Sequence, residues 1–427
     1  MKILLINYKD AGGGAATAAL RLTEALNASG VYARLGVCEI KSVSPYVFQL
    51  PKKKRTLQQK IWGRVKRYTE KIFNPIIKLC KPKFYTTNGI LHSDNFYSET
   101  DVDWINNSEF DVVNLHWING VICNKDIAKI TKPIVWTMHD SWPCCGAEHH
   151  PNIFETDRRW IDGYTKANKP LSTQGYDYCK KVWSQKRKYL LDKQISFIAP
   201  SRWEHDVLKA SYLFKNRECT VIPNIIPQTV FFKRDKKSAR ELFNIPKNKI
   251  VLGFGAAYDI DNPKSMKGSF YLIEFLNKIV NKDKYFIVVF GPTGKAFTSK
   301  IAIPFFEAGY ISNPQILASL YSCCDVIINP SLIENLPTTC LESISCGVPV
   351  IAFDVGGTSD IVVHKETGYL AKPYSTDEMI EGLKYCIKNS DVLTENCLKK
   401  MKKDFSVKAI VKEHVKVFEK SVDSKKC

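Results

Sequence analysis

"NPSLIENLPTTCLESISCGVPVIAFDVGG", residues Asn329–Gly357, holds a loop, a helix and a strand in one line. Pro337 suits the first turn of a helix, where its missing N–H is no loss. Gly347 suits the stop, because a left-handed backbone closes helices there. "VPVIAFD" (348–354) then reads as a strand without polar alternation. A strand apolar on both faces belongs in a parallel sheet covered by helices. Glu334 therefore falls in the loop before the helix, and Glu342 inside it.

Working outward, similar runs recur along the chain. They include "KILLIN" (2–7), "DVVNLHW" (111–117), "PIVWTMHD" (133–140), "ISFIAPS" (195–201), "IVLGFGAA" (250–257), "YFIVVFG" (285–291) and "DVIINPS" (325–331). Helix-like segments separate them. "AATAALRLTEALNASG" carries Ala19, Leu22 and Leu26 on one face and Gly30 as a stop. Repeated βα units predict an α/β protein.

A chain of 427 residues is too long for one ordinary core. A break falls at "PNIIPQTVFFKRDKKSAR" (223–240), with two prolines and then a basic run. The expectation is two Rossmann-like domains facing a cleft, 1–222 and 236–400. A C-terminal helix, 401–427, is taken to return to the N-terminal domain. Its stripe is Val407, Ile410, Val411, His414, Val415 and Phe418.

Apolar content of 44% and charged content of 25% exclude a disordered chain. No apolar stretch approaches the roughly 18 residues of a membrane-spanning helix. "MKILLINYKD" reads as a first strand, not a signal peptide, so a cytoplasmic protein is expected. The 14 cysteines include no CxxC pair and are read as reduced, mostly buried thiols. Residues 51–90 hold twelve Lys or Arg against one acid, Glu70, more than half of the net charge of +19. Trp62, Val65, Tyr68, Ile72 and Phe73 interleave with them. This pattern suits an amphipathic helix on an anionic membrane surface. A solvated basic face and a nucleic-acid contact are the alternatives, and no nucleic-acid recognition module accompanies the segment.

Four places can carry chemistry. Gly12-Gly13-Gly14 stands between a strand and a helix, where backbone N–H groups meet anions. A dinucleotide fingerprint would want a third glycine, and Thr17 stands there. The loop is otherwise a tight turn. His139 and Asp140 end an apolar run, as a hydrogen-bonding or proton-handling His or as a packed His beside a cap. His116 is expected beneath them. Lys264 and Lys267 follow a strand and lead into a helix from about 268, as a clamp for a diphosphate or as surface lysines. Glu334 and Glu342 bracket the helix start, as ligand acceptors for a sugar and a ribose or as ordinary helix acids. Glu148-His149-His150 is read as a surface loop, not a metal site. Asp101-x-Asp103 and Asp259-x-Asp261 are read as cap or turn acids.

Here the residues resemble a known family. "ENLPTTCLE" (334–342) followed by "SISCGVPVIA" resembles the E-x7-E signature of glycosyltransferase family 4, retaining enzymes with the two-domain GT-B fold. "GGGAATAALRLTEAL", "FDVVNLHWINGV", "PIVWTMHDSWPCCG", "FIAPSRW", "VIPNII", "FDVGGTSDIV" and "TGYLAKP" resemble further family segments in the same order. The similarity leaves out about 41–90 and is nearest to enzymes of colanic-acid, O-antigen and capsule synthesis.

The resemblance implies transfer of a hexose-type sugar, with retention, from a UDP- or GDP-type donor. It implies no cofactor and no bound metal. Glu334 and His139 would contact the sugar, and Lys267 would counter the leaving diphosphate. The N–H groups of Asn335, Leu336, Pro337's neighbour Thr338 and the turn around Pro337 would hold phosphate or sugar. Glu342 would hold ribose, and Gly13 and Gly14 would approach the diphosphate or acceptor. The basic segment would suit a lipid-linked or oligosaccharide acceptor, on a protein peripheral to the inner membrane face. Three features depart from the pattern. Ala256 stands where the family commonly has Arg, so Lys264 substitutes or the phosphate clamp is weaker. Ile225 and Pro227 replace a Gly and an Asp, and of the insert's cysteines Cys144, Cys145 and Cys179 remain. An NAD(P)-dependent oxidoreductase and an inactive membrane-docking scaffold are the competing classes.

Overall fold

The computed structural model describes residues 1–53, 84–86, 89–152, 157–171, 173–257, 262–293, 297 and 299–425. Most of the basic run 51–90 lies outside the described residues, as do Asp259 and Asp261. The chain divides into two compact units. One comprises Met1–Phe197, Val207–Cys219 and Val417–Cys427; the other comprises Ile198–Asp206 and Thr220–Lys416.

The expected α/β class is present as two large sheets, beside a small antiparallel pair of Phe84–Thr86 and Thr173–Gly175. The first has seven strands in the order Val47–Gln49, Tyr32–Glu39, Lys2–Lys9, Val112–Leu115, Ile134–Thr137, Ser196–Ala199, Cys219–Val221. Lys2–Lys9 runs parallel to both neighbours, Ile3 facing Ala33 on one side and Val112 on the other. Ile3 to Ile6 are all fully buried, as a strand covered on both faces requires. The second sheet repeats the order with six strands: Phe305–Gly309, Tyr285–Thr293, Ile250–Ala257, Val326–Asn329, Val350–Phe353, Gly368–Ala371. All its pairings are parallel. The helix Thr338–Ser345 and the strand Val350–Phe353 fall where the opening stretch places them, with Gly347 at φ +74° past the helix end.

In each sheet the strand order reverses beside the sheet's first strand. Open α/β sheets bind ligands outside the carboxyl ends of the strands at such a switch point. In the first unit the loops there carry Gly12–Gly14 and His116. In the second they carry Lys267 and Glu334. The topology therefore gathers, unit by unit, the residues singled out from the sequence.

Of the expected stripe, the helix Val407–Asp423 buries Ile410, Val411, His414 and Phe418 and leaves Val407 and Val415 half-buried. Its end belongs to the first unit, where Lys420 pairs with Glu218 at 2.8 Å and Ser421 meets Ser196 at 3.1 Å. The twelve described cysteines form no disulfide, and ten of them are buried. Among the described residues no helix is long and apolar enough to cross a membrane. Asp101 caps the helix Val102–Asn107 through Asp103 N–H, the cap role its spacing suggests.

His414 is 3% exposed, and its Nδ1 lies 2.9 Å from the Ile410 carbonyl. Burial disfavours the imidazolium and pushes its pKa down from 6.5 to about 4. The unfolded chain then takes up the proton first as pH falls. Stability held above pH 6.5 is lost between 6.5 and 4, by up to about 3 kcal/mol. Denaturant melts at pH 7, 5.5 and 4.5 should show a smaller acid loss for His414→Leu than for the parent. Equal losses would assign the effect to other groups.

Candidate active site

The second unit's site is built on close backbone approaches. Gly268 has φ +65°, and a Cβ on it would stand 1.8 Å from the Pro330 carbonyl oxygen. Only glycine admits this contact. It lays the turn before the helix Ser269–Lys278 against the loop after Val326–Asn329, and Leu332 N–H bonds the Met266 carbonyl at 2.8 Å. Lys267 is thereby carried to Glu334, Nζ to Oε1 at 2.6 Å.

From the other side Gly356, at φ +55°, would place a Cβ 1.9 Å from the Glu334 carbonyl oxygen, and Gly357 one 1.9 Å from that of Asn335. Gly357 N–H donates to the Glu334 carbonyl at 2.9 Å. Ser201 Oγ and Asn335 Oδ1, both of this unit, lie 2.8 Å apart. The Lys267 side chain is 55% exposed and that of Glu334 16%. An ion pair so open to water adds at most about 1 kcal/mol. The glycine contacts, not the charge pair, therefore hold the loop in place.

Pro337 is the N-cap of the helix Thr338–Ser345, one position outside it. No side chain caps this start and no acid stands in its first turn, so its first N–H groups suit an anion. Leu336 joins the apolar core, which leaves only its backbone to face a ligand. Glu342 is buried at 6% exposure, not turned to solvent, and accepts from the Tyr321 phenol at 3.0 Å. Burial first, and then the Glu342 charge, raise the phenol pKa far above its usual value. Tyr321 therefore remains a donor. Lys264 is exposed, and its N–H bonds Asn262 Oδ1 at 2.9 Å. The structure does not bring its side chain to the Lys267–Glu334 pair.

In the first unit Gly13 and Gly14 are exposed at the start of the helix Gly14–Ala28. A Cβ on either would meet nothing within 4 Å. Packing does not require these glycines, and the space before the helix is open.

His139 is half-buried and hydrogen-bonded to His116, Nε2 to Nδ1 at 2.8 Å. Asn114 Nδ2 donates to the Val135 carbonyl at 3.2 Å and to Thr137 Oγ1 at 3.0 Å, which orients the amide. Asn114 Oδ1 then accepts from His116 Nε2 at 2.8 Å. Neutral His116 keeps its lone pair on Nδ1 and accepts from His139 Nε2–H. Asp140 turns elsewhere: its Oδ2 meets His149 Nδ1 at 2.6 Å and its Oδ1 accepts from Trp142 N–H. Burial alone would raise the Asp140 pKa, but the charge and hydrogen bond of His149 outweigh it and hold the carboxyl at about 2.

The reading of Glu148-His149-His150 as a surface loop is overturned. Glu148 is 4% and His149 2% exposed. His149 N–H pairs with the Leu91 carbonyl, and Arg159 and Tyr164 close over Glu148. Sequence reasoning also missed Tyr321, Gly268 and the Gly356-Gly357 pair. A glycine pair just after a strand was the available signal for the last.

The contacts give a contrast to measure. Gly268→Ala and Gly356→Ala should each lose about 1–3 kcal/mol, with a lowered Tm, through strain and overlap. Gly13→Ala, with φ 166° and open space around it, should stay within about 0.5 kcal/mol of the parent. Equal Tm values for all three would show that the close approaches are not constraints.

Residues 247–405 match the family described as "Glycosyl transferases group 1". A D-inositol 3-phosphate glycosyltransferase of Stackebrandtia nassauensis is 27% identical over 42% of this chain and 43% of its own. The chain spans less than half the length of the first curated relatives it matches. Sucrose-phosphate synthase from Thermosynechococcus elongatus superposes with a TM-score of 0.67 at 15% identity, covering 99% of both chains. Anabaena HepE in complex with UDP-glucose gives 0.64 at 14% identity, covering 98% of this chain and 100% of that one. At these identities the likeness is one of fold, and that fold is the pair of Rossmann-like domains of GT-B glycosyltransferases.

Proposed function

We propose that this protein is a retaining glycosyltransferase. It moves a hexose-type sugar from a UDP- or GDP-type donor to a lipid-linked or oligosaccharide acceptor in surface polysaccharide synthesis. One observation carries the reading. An ammonium–carboxylate pair, an uncapped helix start and a buried carboxylate with a fixed donor follow one another at the second sheet's switch point. Sugar, diphosphate and ribose need those three chemistries in that order. The match of 247–405 to group 1 glycosyl transferases supports the same assignment.

On this reading Glu342 accepts from ribose hydroxyls through the oxygen not engaged by Tyr321. The N–H groups of Asn335, Leu336 and Thr338 take the diphosphate. Lys267 exchanges Glu334 for the diphosphate as the donor binds, which frees Glu334 to accept from sugar hydroxyls. When the bond between the anomeric carbon and the diphosphate breaks, Lys267 and the helix start neutralise the departing charge in place of a metal. The acceptor oxygen bonds the anomeric carbon on the same face, and its proton leaves with the diphosphate. His139, oriented by His116, contacts the sugar, and Gly13 and Gly14 leave room for the diphosphate or acceptor. Residues 51–90 hold the protein at the anionic inner face of the cell membrane.

Thermal-shift measurements with UDP-, GDP- and ADP-sugars and with NAD(P) test the donor class. One nucleotide-sugar class should raise Tm, by about 2.7 kcal/mol of stability at a hundredfold excess over Kd. Stabilisation by NAD(P) alone would overturn the reading. Glu334→Ala and Lys267→Ala should lower kcat about 100-fold or more. Tyr321→Phe should raise donor KM roughly 10-fold or more with kcat nearly kept, the loss of one hydrogen bond to a charged group. An unchanged KM would detach Tyr321 from donor binding.

A further inference from the structure

Two distant stretches of the first unit run side by side. His92 and Glu148 form an antiparallel bridge. Ser93 N–H bonds the Ala147 carbonyl at 2.8 Å, and His149 N–H bonds that of Leu91 at 3.0 Å. Residues opposed in such a pair project to the same face. The helix Tyr178–Leu190 brings a third residue, Cys179, in its first turn. One side-chain ligand atom from each of His92, Glu148 and Cys179 lies within 4.8 Å of the other two. Gly146 permits the approach, since a Cβ there would stand 2.6 Å from both the Cys179 carbonyl oxygen and Glu148 Oε2.

The geometry points to a metal site in which His92, Glu148 and Cys179 bind one zinc-class divalent ion. The donor set is nitrogen, oxygen and sulfur, which suits zinc and disfavours magnesium and calcium. His92 Nδ1 lies 2.7 Å from the Ile90 carbonyl, so Nδ1 carries the hydrogen and Nε2 keeps its lone pair for a metal. Tyr164 donates to Glu148 Oε2 at 3.2 Å, and Arg159 reaches Oε1 at 3.4 Å, orienting the carboxylate from outside.

The charge balance points the same way. Arg159, 2% exposed, faces three carboxylates, Glu148, Asp157 and Asp177, all at 15% exposure or less. Buried Lys186 is a second cation near Glu148, so two cations face three carboxylates; a divalent ion together with the Cys179 thiolate closes the difference. Tetrahedral zinc, with bonds of about 2.0–2.3 Å, sets its ligands roughly 3.3–3.8 Å apart, so modest side-chain movement closes the site. On binding, the Cys179 proton passes to water, the thiolate bonds the metal, and a water completes the fourth position. His92 is only half-buried and gives the ion a way in. The metal would staple together the three segments around the loop that begins at Asp140. It takes no part in the transfer proposed above and does not depend on it.

The test uses the full chain, stripped of metal and dialysed against zinc, then assayed by mass spectrometry for bound metal. The expected result is one zinc per chain, falling to near zero in both His92→Ala and Cys179→Ser. A chelator should lower the parent's Tm and leave both variants unmoved. Cobalt loading should give a thiolate charge-transfer band in the parent that Cys179→Ser lacks. If Cys179→Ser fails to fold, His92→Ala decides. No bound zinc in the parent, or zinc retained by His92→Ala, would overturn the proposal.

Discussion

The second unit's site rests on three places where a side chain is forbidden. Gly268 meets the Pro330 carbonyl, Gly356 that of Glu334 and Gly357 that of Asn335, each at a distance no Cβ tolerates. Backbone thus packs on backbone around the loop from 330 to 335. Lys267, Glu334 and the start of the helix Thr338–Ser345 take their positions from that packing. An exposed ion pair adds too little to fix geometry. A set of steric exclusions can fix it, because overlap costs rise steeply while attraction is shallow.

The two units share one strand order and differ in what they place at the reversal. The second sets an ammonium–carboxylate pair and a buried acid beside an uncapped helix. The first sets a chain of neutral hydrogen bonds, Thr137 and Val135 to Asn114, Asn114 to His116, His116 to His139, beside an open glycine turn. The same scaffold therefore offers an ammonium–carboxylate pair in one unit and a relay of oriented hydrogen bonds in the other.

Most of the fold was legible because it depends on local pattern. Unalternating apolar runs such as "KILLIN" and "VPVIAFD" mark strands buried on both faces, and Gly347 marks a helix end by its backbone alone. The candidate residues were legible as positions after strands, since topology carries such loops to one edge. Their partners were not. Tyr321 lies 21 residues before Glu342, and Arg159 lies 11 after Glu148; nothing local signals either bond. Glu148 and His149 look like exposed polar residues by composition. They are buried because Leu91, Ser93, Arg159 and Tyr164 supply partners from elsewhere in the chain. Gly268 read only as the start of a helix for the same reason: its constraint comes from Pro330, 62 residues on.

The bond between His116 and His139 ties the tautomer of one ring to that of the other. Their facing nitrogens stand 2.8 Å apart with room for a single hydrogen between them. A second hydrogen in that gap would put two N–H groups head to head. Because Asn114 takes the hydrogen on His116 Nε2, the hydrogen in that gap belongs to His139 while both rings are neutral. A ligand that reaches His139 therefore meets a ring whose tautomer is set by an Asn114 amide one ring further in.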